Sequence, residues 1–114
     1  MDDIVTRRKS DRIRLLNDNF RTTFVGGRVV TTQGVAELPL DTKARVLLAV
    51  QSFDKFTEDN DPHRDHDFGS FEIEGETYFF KIDYYALDID GGSEDPADPE
   101  KTTRLLTIMR ADEY

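Results

Sequence analysis

The chain contains no cysteine and no tryptophan. Without thiols it has no disulfides, no thiolate metal site and no cysteine nucleophile, and that composition fits a reducing compartment. Long apolar runs are missing as well. Nothing approaches the ~20 consecutive apolar residues that cross a bilayer, and the N-terminus lacks the apolar centre of a signal peptide. A cytoplasmic protein without membrane contact is therefore expected. Phosphate-loop chemistry is absent, because Gly26-Gly27 runs into Arg28-Val29 instead of the Gly-Lys-Ser/Thr that cradles phosphates. Neither Ser10, Ser52, Ser70 nor Ser93 stands in a nucleophile elbow. Together these absences lean against an enzyme.

Positive charge is scarce and unevenly placed. The net charge is −9, yet residues 1–30 carry seven Lys/Arg against four acids, a local +3. Residues 54–100 hold sixteen acids against Lys55, Arg64 and Lys81, a local −13. Such a field repels nucleic acid, membrane phosphates and acidic substrates and attracts basic protein surfaces. It disfavours direct nucleic-acid binding and points to a basic protein partner. Acidity also keeps small proteins soluble, which is the plain alternative.

With 114 residues, one hydrophobic core is the natural expectation. Residues 1–9 lack periodicity and read as a flexible tail, leaving 10–114 as a single domain. Ile13, Leu16, Phe20 and Phe24 recur at helical spacing, predicting a helix over 11–24 capped by Ser10 or Asp11 and ended by Gly26-Gly27. Arg28-Val29-Val30-Thr31-Thr32 is β-branched and reads as a strand, closed by Gly34. A second helix is expected from an Asp41 cap to about Phe56. It carries Ala44, Leu47, Leu48 and Gln51 on one stripe and Val46, Val50 and Phe53 on the next, so burial on more than one side is expected.

A two-residue turn at Gly75-Glu76 would make a hairpin in which Phe71 faces Phe80 and Ile73 faces Tyr78. Tyr78, Phe80, Ile82 and Tyr84 would then share the core face, with Lys81, Asp83 and Tyr85 opposite. Residues 88–101, with Gly91-Gly92, Pro96 and Pro99 among acids, read as a long exposed loop, and 102–110 as a last strand. The order is α-β-α-β-β-β. The fold class expected is α+β, two N-terminal helices packed on a small, mostly antiparallel sheet.

Two constellations could carry chemistry. Asp59-Asn60-Asp61-Pro62-His63-Arg64-Asp65-His66-Asp67 contains both histidines, and imidazole with carboxylate can hold a divalent metal or move protons. As a calcium loop it fails: Arg64 stands where Gly must turn the chain and Ser70 where a bidentate Glu is needed. His63, Asp65, His66 and Asp67 remain the candidate metal ligands, against the plainer reading of a polar loop whose Asp and Asn cap backbone groups. Lys81, Asp83 and Tyr85 could bind a polar ligand or simply pair across a solvated face.

Several blocks carry a family likeness. They are Leu16-Asn17-Asp18 with Phe20-Arg21, Gly26 to Val30, Phe53-Asp54 through Asn60-Asp61-Pro62-His63 to His66-Asp67-Phe68-Gly69, Phe79 to Tyr85, and Asp95-Pro96-Ala97-Asp98-Pro99 with Thr103-Arg104 and Leu106 to Met109. Over about 11–114 the chain resembles the domain of unknown function 3768 family, small proteins of alphaproteobacterial chromosomes, plasmids and phages. Members often have an acid after the tyrosine pair, where this chain has Ala86. The resemblance implies context rather than chemistry: small acidic proteins of mobile elements often bind host proteins, including restriction and CRISPR machinery.

The leading expectation is thus a small acidic, non-enzymatic interaction protein that imitates nucleic-acid charge and acts on a host defence or nucleic-acid-handling protein. Its binding surface would comprise Glu94, Asp95, Asp98, Glu100, Asp83 and Tyr85. The alternative is a metal- or ligand-dependent enzyme or sensor that brings the 59–67 loop together with Asp83. An oligomer-forming protein would instead display a Tyr/Phe patch; the sequence leaves the oligomeric state open.

Overall fold

A computed structural model describes residues 4–114. Helix α1 (Ile4–Thr23) leads to strand β1 (Arg28–Thr31), a short helix α2 (Gln33–Ala36) and helix α3 (Leu40–Gln51). Strands β2 (Phe68–Ile73), β3 (Glu76–Tyr85) and β4 (Thr103–Arg110) follow, and a 3-10 turn (Ala111–Glu113) ends the chain. The architecture is α+β, as expected, but the order is α-β-α-α-β-β-β rather than α-β-α-β-β-β, because the one-turn α2 adds a third helix to the two expected.

The sheet departs from expectation in being mixed. Its order is β1-β4-β3-β2; β2–β3 and β3–β4 are antiparallel, but β1 lies parallel to β4, with Arg28 opposite Leu105 and Thr31 opposite Ile108. The physical reason is connectivity. The helices after β1 carry the chain across to β2 at the far edge, which runs parallel to β1, and the two antiparallel pairings β2–β3 and β3–β4 then bring β4 back parallel to β1.

Helix α1 begins seven residues earlier than predicted. Residues 4–9 of the expected tail are helical, and positions 1–3 lie outside the described residues. Ser10 and Asp11 consequently sit inside the helix and cap nothing: the Ser10 hydroxyl donates to His63 O at 3.0 Å, and Asp11 pairs with Arg14 at 2.9 Å. The helix ends where Phe24 adopts a left-handed φ of 61° just before Gly26 at 116°. Gly34 does not close β1 but lies within α2. Helix α3 starts after Pro39, placing Asp41 in the first turn, where its charge complements the exposed amide ends.

Helix α3 also stops five residues short of Phe56. Its buried stripe is Thr42, Val46 and Val50, continued by Phe53, while Leu48 of the rival stripe is 62% exposed. Burial is therefore on one side. The core joins Phe20 of α1, Val35 of α2, Val46 and Val50 of α3, and Tyr78, Phe80, Ile82, Leu106 and Ile108 of the sheet. Strand alternation sends Phe79, Lys81, Asp83 and Tyr85 to the other face, where Phe68, Phe79 and Tyr114 form an aromatic group.

The hairpin turn is Glu74-Gly75, not Gly75-Glu76. Phe71 faces Tyr78 and Gly69 faces Phe80. Both turn residues have positive φ, 54° and 82°, a turn of the type I′ sort whose twist matches the strands and which favours glycine in second place. The partner shifts by two residues, so the apolar face survives the change.

Candidate functional site

The 59–67 segment lies against α1, and a polar network fixes it there. Asn17, fully buried, is the hub: its amide nitrogen donates to Asp65 O at 2.9 Å and to Tyr84 Oη at 2.7 Å, and its oxygen accepts the Arg104 Nε hydrogen at 2.8 Å. Tyr84 Oη donates onward to Asp67 Oδ2 at 3.3 Å. The Arg104 guanidinium lies 5.2 Å from the Tyr84 ring centroid and donates to Pro96 O. One asparagine thus links helix, loop, sheet and the β3–β4 connection. Burying so many polar groups is tolerable because each has a partner.

Arg21, one helical turn after Asn17, is likewise buried. Its guanidinium donates to Val50 O at 3.0 Å, to Gln51 O at 3.3 Å and to Phe53 O at 2.9 Å. These are carbonyls at and just beyond the end of α3, where a helix runs out of its own amide donors; Val50 O takes in addition the Phe53 amide hydrogen at 3.4 Å. Arg21 also pairs with Asp18 at 3.0 Å and lies 5.3 Å from the centroid of Phe56.

His66 occupies the space between two carboxylates. Its Nδ1 lies 2.9 Å from Asp18 Oδ1 and its Nε2 is 3.5 Å from Asp61 Oδ2. The ring stacks on Phe56 at 3.8 Å with a 4° interplanar angle. Its backbone φ of 56° is left-handed, and Asp61, 7% exposed, accepts its amide hydrogen at 3.2 Å. Both ring nitrogens of His66 thus face carboxylates, Asp18 from α1 and Asp61 from its own loop.

The four candidate metal ligands do not converge. His63 is exposed, Asp65 accepts the Ser10 hydroxyl at 3.2 Å, Asp67 accepts from Tyr84, and among the described residues no three His, Asp or Glu side chains gather to hold a metal ion. Asp83 does not join them: it pairs with Lys81 at 2.8 Å on the opposite sheet face. Burial pushes the Asp65 carboxyl above its usual range, aided by nearby Asp61 and offset by the Ser10 hydrogen bond. Asp67 is raised by burial and then by Asp65, Tyr84 by burial and Asp67; burial lowers Arg104. These perturbed groups are spent on holding the loop in place.

The predicted binding surface lies along β3 and the connection after it. Asp83 and Tyr85 end the strand, and Tyr85 bridges to Gly92 across the base of the connection. Glu94 and Glu100 are exposed. Asp95 and Asp98 are half-buried and bind backbone amides, Asp95 Oδ1 that of Ala97 at 3.2 Å and Asp98 Oδ1 that of Glu100 at 2.9 Å. The connection is docked rather than loose: Arg12 donates to Ala97 O at 2.8 Å, and Ala97 and Thr102 are buried.

Sequence reasoning missed Asn17, Asp18, Arg21 and Arg104. A signal existed for two of them, since Asn17 and Arg21 fall on the same helical stripe as Ile13, Phe20 and Phe24. It also missed Leu87 and Ile89, exposed apolar residues set among Asp88 and Asp90.

No curated protein and no solved structure matches the chain. Residues 31–113 match a family described as protein of unknown function (DUF3768). The match spans most of the chain, and the chain belongs to that family.

Proposed function

We propose that this DUF3768 member is an interaction protein that docks on a basic protein surface through the connection between β3 and β4, imitating the charge of nucleic acid. The carrying observation is the exposed Leu87 at 62% and Ile89 at 36%, flanked by the acids Asp88, Asp90, Glu94 and Glu100. An apolar centre with a charged rim is the usual composition of a protein-recognition patch.

Pre-organisation supports the reading. Ala86 N–H donates to Gly91 O at 3.0 Å, Ser93 N–H to Tyr84 O at 3.1 Å, and the Ser93 and Thr102 hydroxyls meet at 2.7 Å. A segment already held in shape loses less entropy on binding. Lys101 is the lone cation of residues 86–101 and pairs with Glu94 at 3.5 Å, so the remaining acids keep their field. The family context favours a host nucleic-acid-handling or defence protein as the basic partner.

The test is capture of host proteins on the immobilised chain, beside a variant carrying Asp88→Lys, Asp90→Lys, Glu94→Lys and Glu100→Lys. The expected partner is retained by the wild type alone, released by salt, and displaced by duplex DNA. Retention that is indifferent to the four changes or to DNA would remove the basis of the proposal.

A further inference from the structure

Six of the fifteen Lys and Arg residues of this acidic chain lie on α1, and the structure brings one more to meet them. A cleft of about 630 Å³ between α1 and the 56–67 segment is lined by Arg14, Arg64 and His66. A neighbouring cleft of about 410 Å³ is lined by Arg7, Arg14, His63 and Arg64. Arg14, Pro62 and Arg64 line both clefts, so the two form one continuous surface.

Arg64 is the informative residue. Of the three cations in residues 54–100, Lys81 is neutralised by Asp83; neither Lys55 nor Arg64 forms an ion pair among the described residues, and Arg64 is the one that faces the cleft that two other guanidiniums share. Gathering like charges costs energy unless an anion lies between them. Its backbone is also held at a φ of 58°, with the amide hydrogen donated to Asp61 O at 3.1 Å. A long side chain there bears strain that glycine would avoid, and such strain concentrates at ligand sites.

Three acids also line the two clefts: Asp11, exposed, holds Arg14 at 2.9 Å, Asp61 faces His66, and Glu58 stands exposed at the lip. Arg7 and Arg64 are left without an acidic partner among the described residues. Guanidinium forks match phosphate oxygens two at a time, and clefts of this size admit a nucleotide. The geometry points to this cleft as a binding site for a small phosphate-bearing anion, held by Arg14 and Arg64 with Arg7 at the rim. The site uses no residue of the acidic connection, so it stands or falls independently of that surface.

Calorimetric titration at low ionic strength with inorganic pyrophosphate and, separately, adenosine monophosphate tests it. The wild type is expected to bind at one saturable site. Arg64→Gly is expected to weaken binding tenfold or more while melting no lower than wild type, because glycine suits the left-handed backbone. Lys101→Gln removes a cation outside the cleft and is expected to bind like the wild type. Tighter binding of the nucleotide assigns a nucleotide, and tighter pyrophosphate a small polyphosphate; either result keeps the site. Absence of saturable binding by both probes overturns the assignment, as does an equal loss in Arg64→Gly and Lys101→Gln.

Discussion

The oxygen of Asn17 accepts the Nε hydrogen of Arg104 at 2.8 Å inside the protein, joining the middle of α1 to the start of β4. Asn17→Ala would leave a buried guanidinium nitrogen, the Tyr84 hydroxyl and Asp65 O each short of a partner. The expected destabilisation is ~2–4 kcal/mol, from the cost of orphaned buried polar groups, and denaturant melts would measure it. A loss well under 1 kcal/mol would mean that Pro96 O and water satisfy Arg104 unaided.

Arg21 supplies the end of α3 from another helix. Arg21→Lys keeps the charge but replaces a planar fork by a compact ammonium that cannot reach three carbonyls in the same geometry. The expected cost is about 1–3 kcal/mol, with faster amide exchange over the last turn of α3. Exchange unchanged there would show that the helix end needs no external donor.

Gly69 lies where the rings of Phe80 and Phe53 close on the strand, and an added Cβ would overlap Phe80 and approach Phe53 Cε2 to 2.9 Å. Gly69→Ala is expected to cost ~1–3 kcal/mol through overpacking. Gly75→Ala at the open hairpin tip meets no atoms and loses only the ease of its positive φ, so it should cost less. Equal melting temperatures for the two variants would contradict this packing.

Asp67 makes the fold weaker at neutral pH. Its folded pKa is raised, chiefly by burial, so the folded chain binds a proton more readily than the unfolded one. Stability therefore falls as pH rises from the ordinary carboxylate value through the raised one, and the cost is fully present above it. Asp67→Asn removes the charge and keeps an oxygen for Tyr84. A higher melting temperature is expected at pH 7, shrinking towards about pH 4 as the wild-type carboxyl takes up its proton. A gain independent of pH would assign the effect to something other than ionisation.

Glu113 acts with the opposite sign. Its carboxylate accepts the Thr32 hydroxyl at 2.6 Å, the Gly34 amide at 2.8 Å and the Arg110 amide at 3.0 Å, and the Thr32 bond leads in holding its pKa below the usual value. The clasp is complete above the ordinary carboxylate range and lost as pH falls through the depressed value. Glu113→Gln is expected to lower the protection factor of the Gly34 amide at neutral pH, measured against the intrinsic exchange rate, as protonation of Glu113 does in the wild type.

Local pattern made the core face of β3, the strand at 103–110 and the helical stripe of α1 readable, because each follows from the spacing of apolar residues. What sequence could not show came from groups distant along the chain. Phe53 and Phe56 continue the apolar pattern of α3, yet the helix stops at Gln51 and Arg21 binds the carbonyls of Val50, Gln51 and Phe53. Within the candidate site, the His/Asp-rich segment was visible as a cluster, but not its outcome, since Asp18 and Asn17 of α1 decide where His66 and Asp65 point. The exposed acids Glu94 and Glu100 were legible from composition; the half-buried caps Asp95 and Asp98 look identical to them in sequence.

Strand β4 is paired on both sides, with β1 from near the beginning of the chain and with β3 just before it. Until the ribosome has released that strand, β1 has no neighbour and the apolar faces of α1 and α3 have only part of a sheet to cover. No smaller piece of the chain holds a complete core. This domain should thus assemble in one all-or-none step that waits for β4, and a message cut short before the codons of β4 would yield degradable chain rather than a reduced version of the domain.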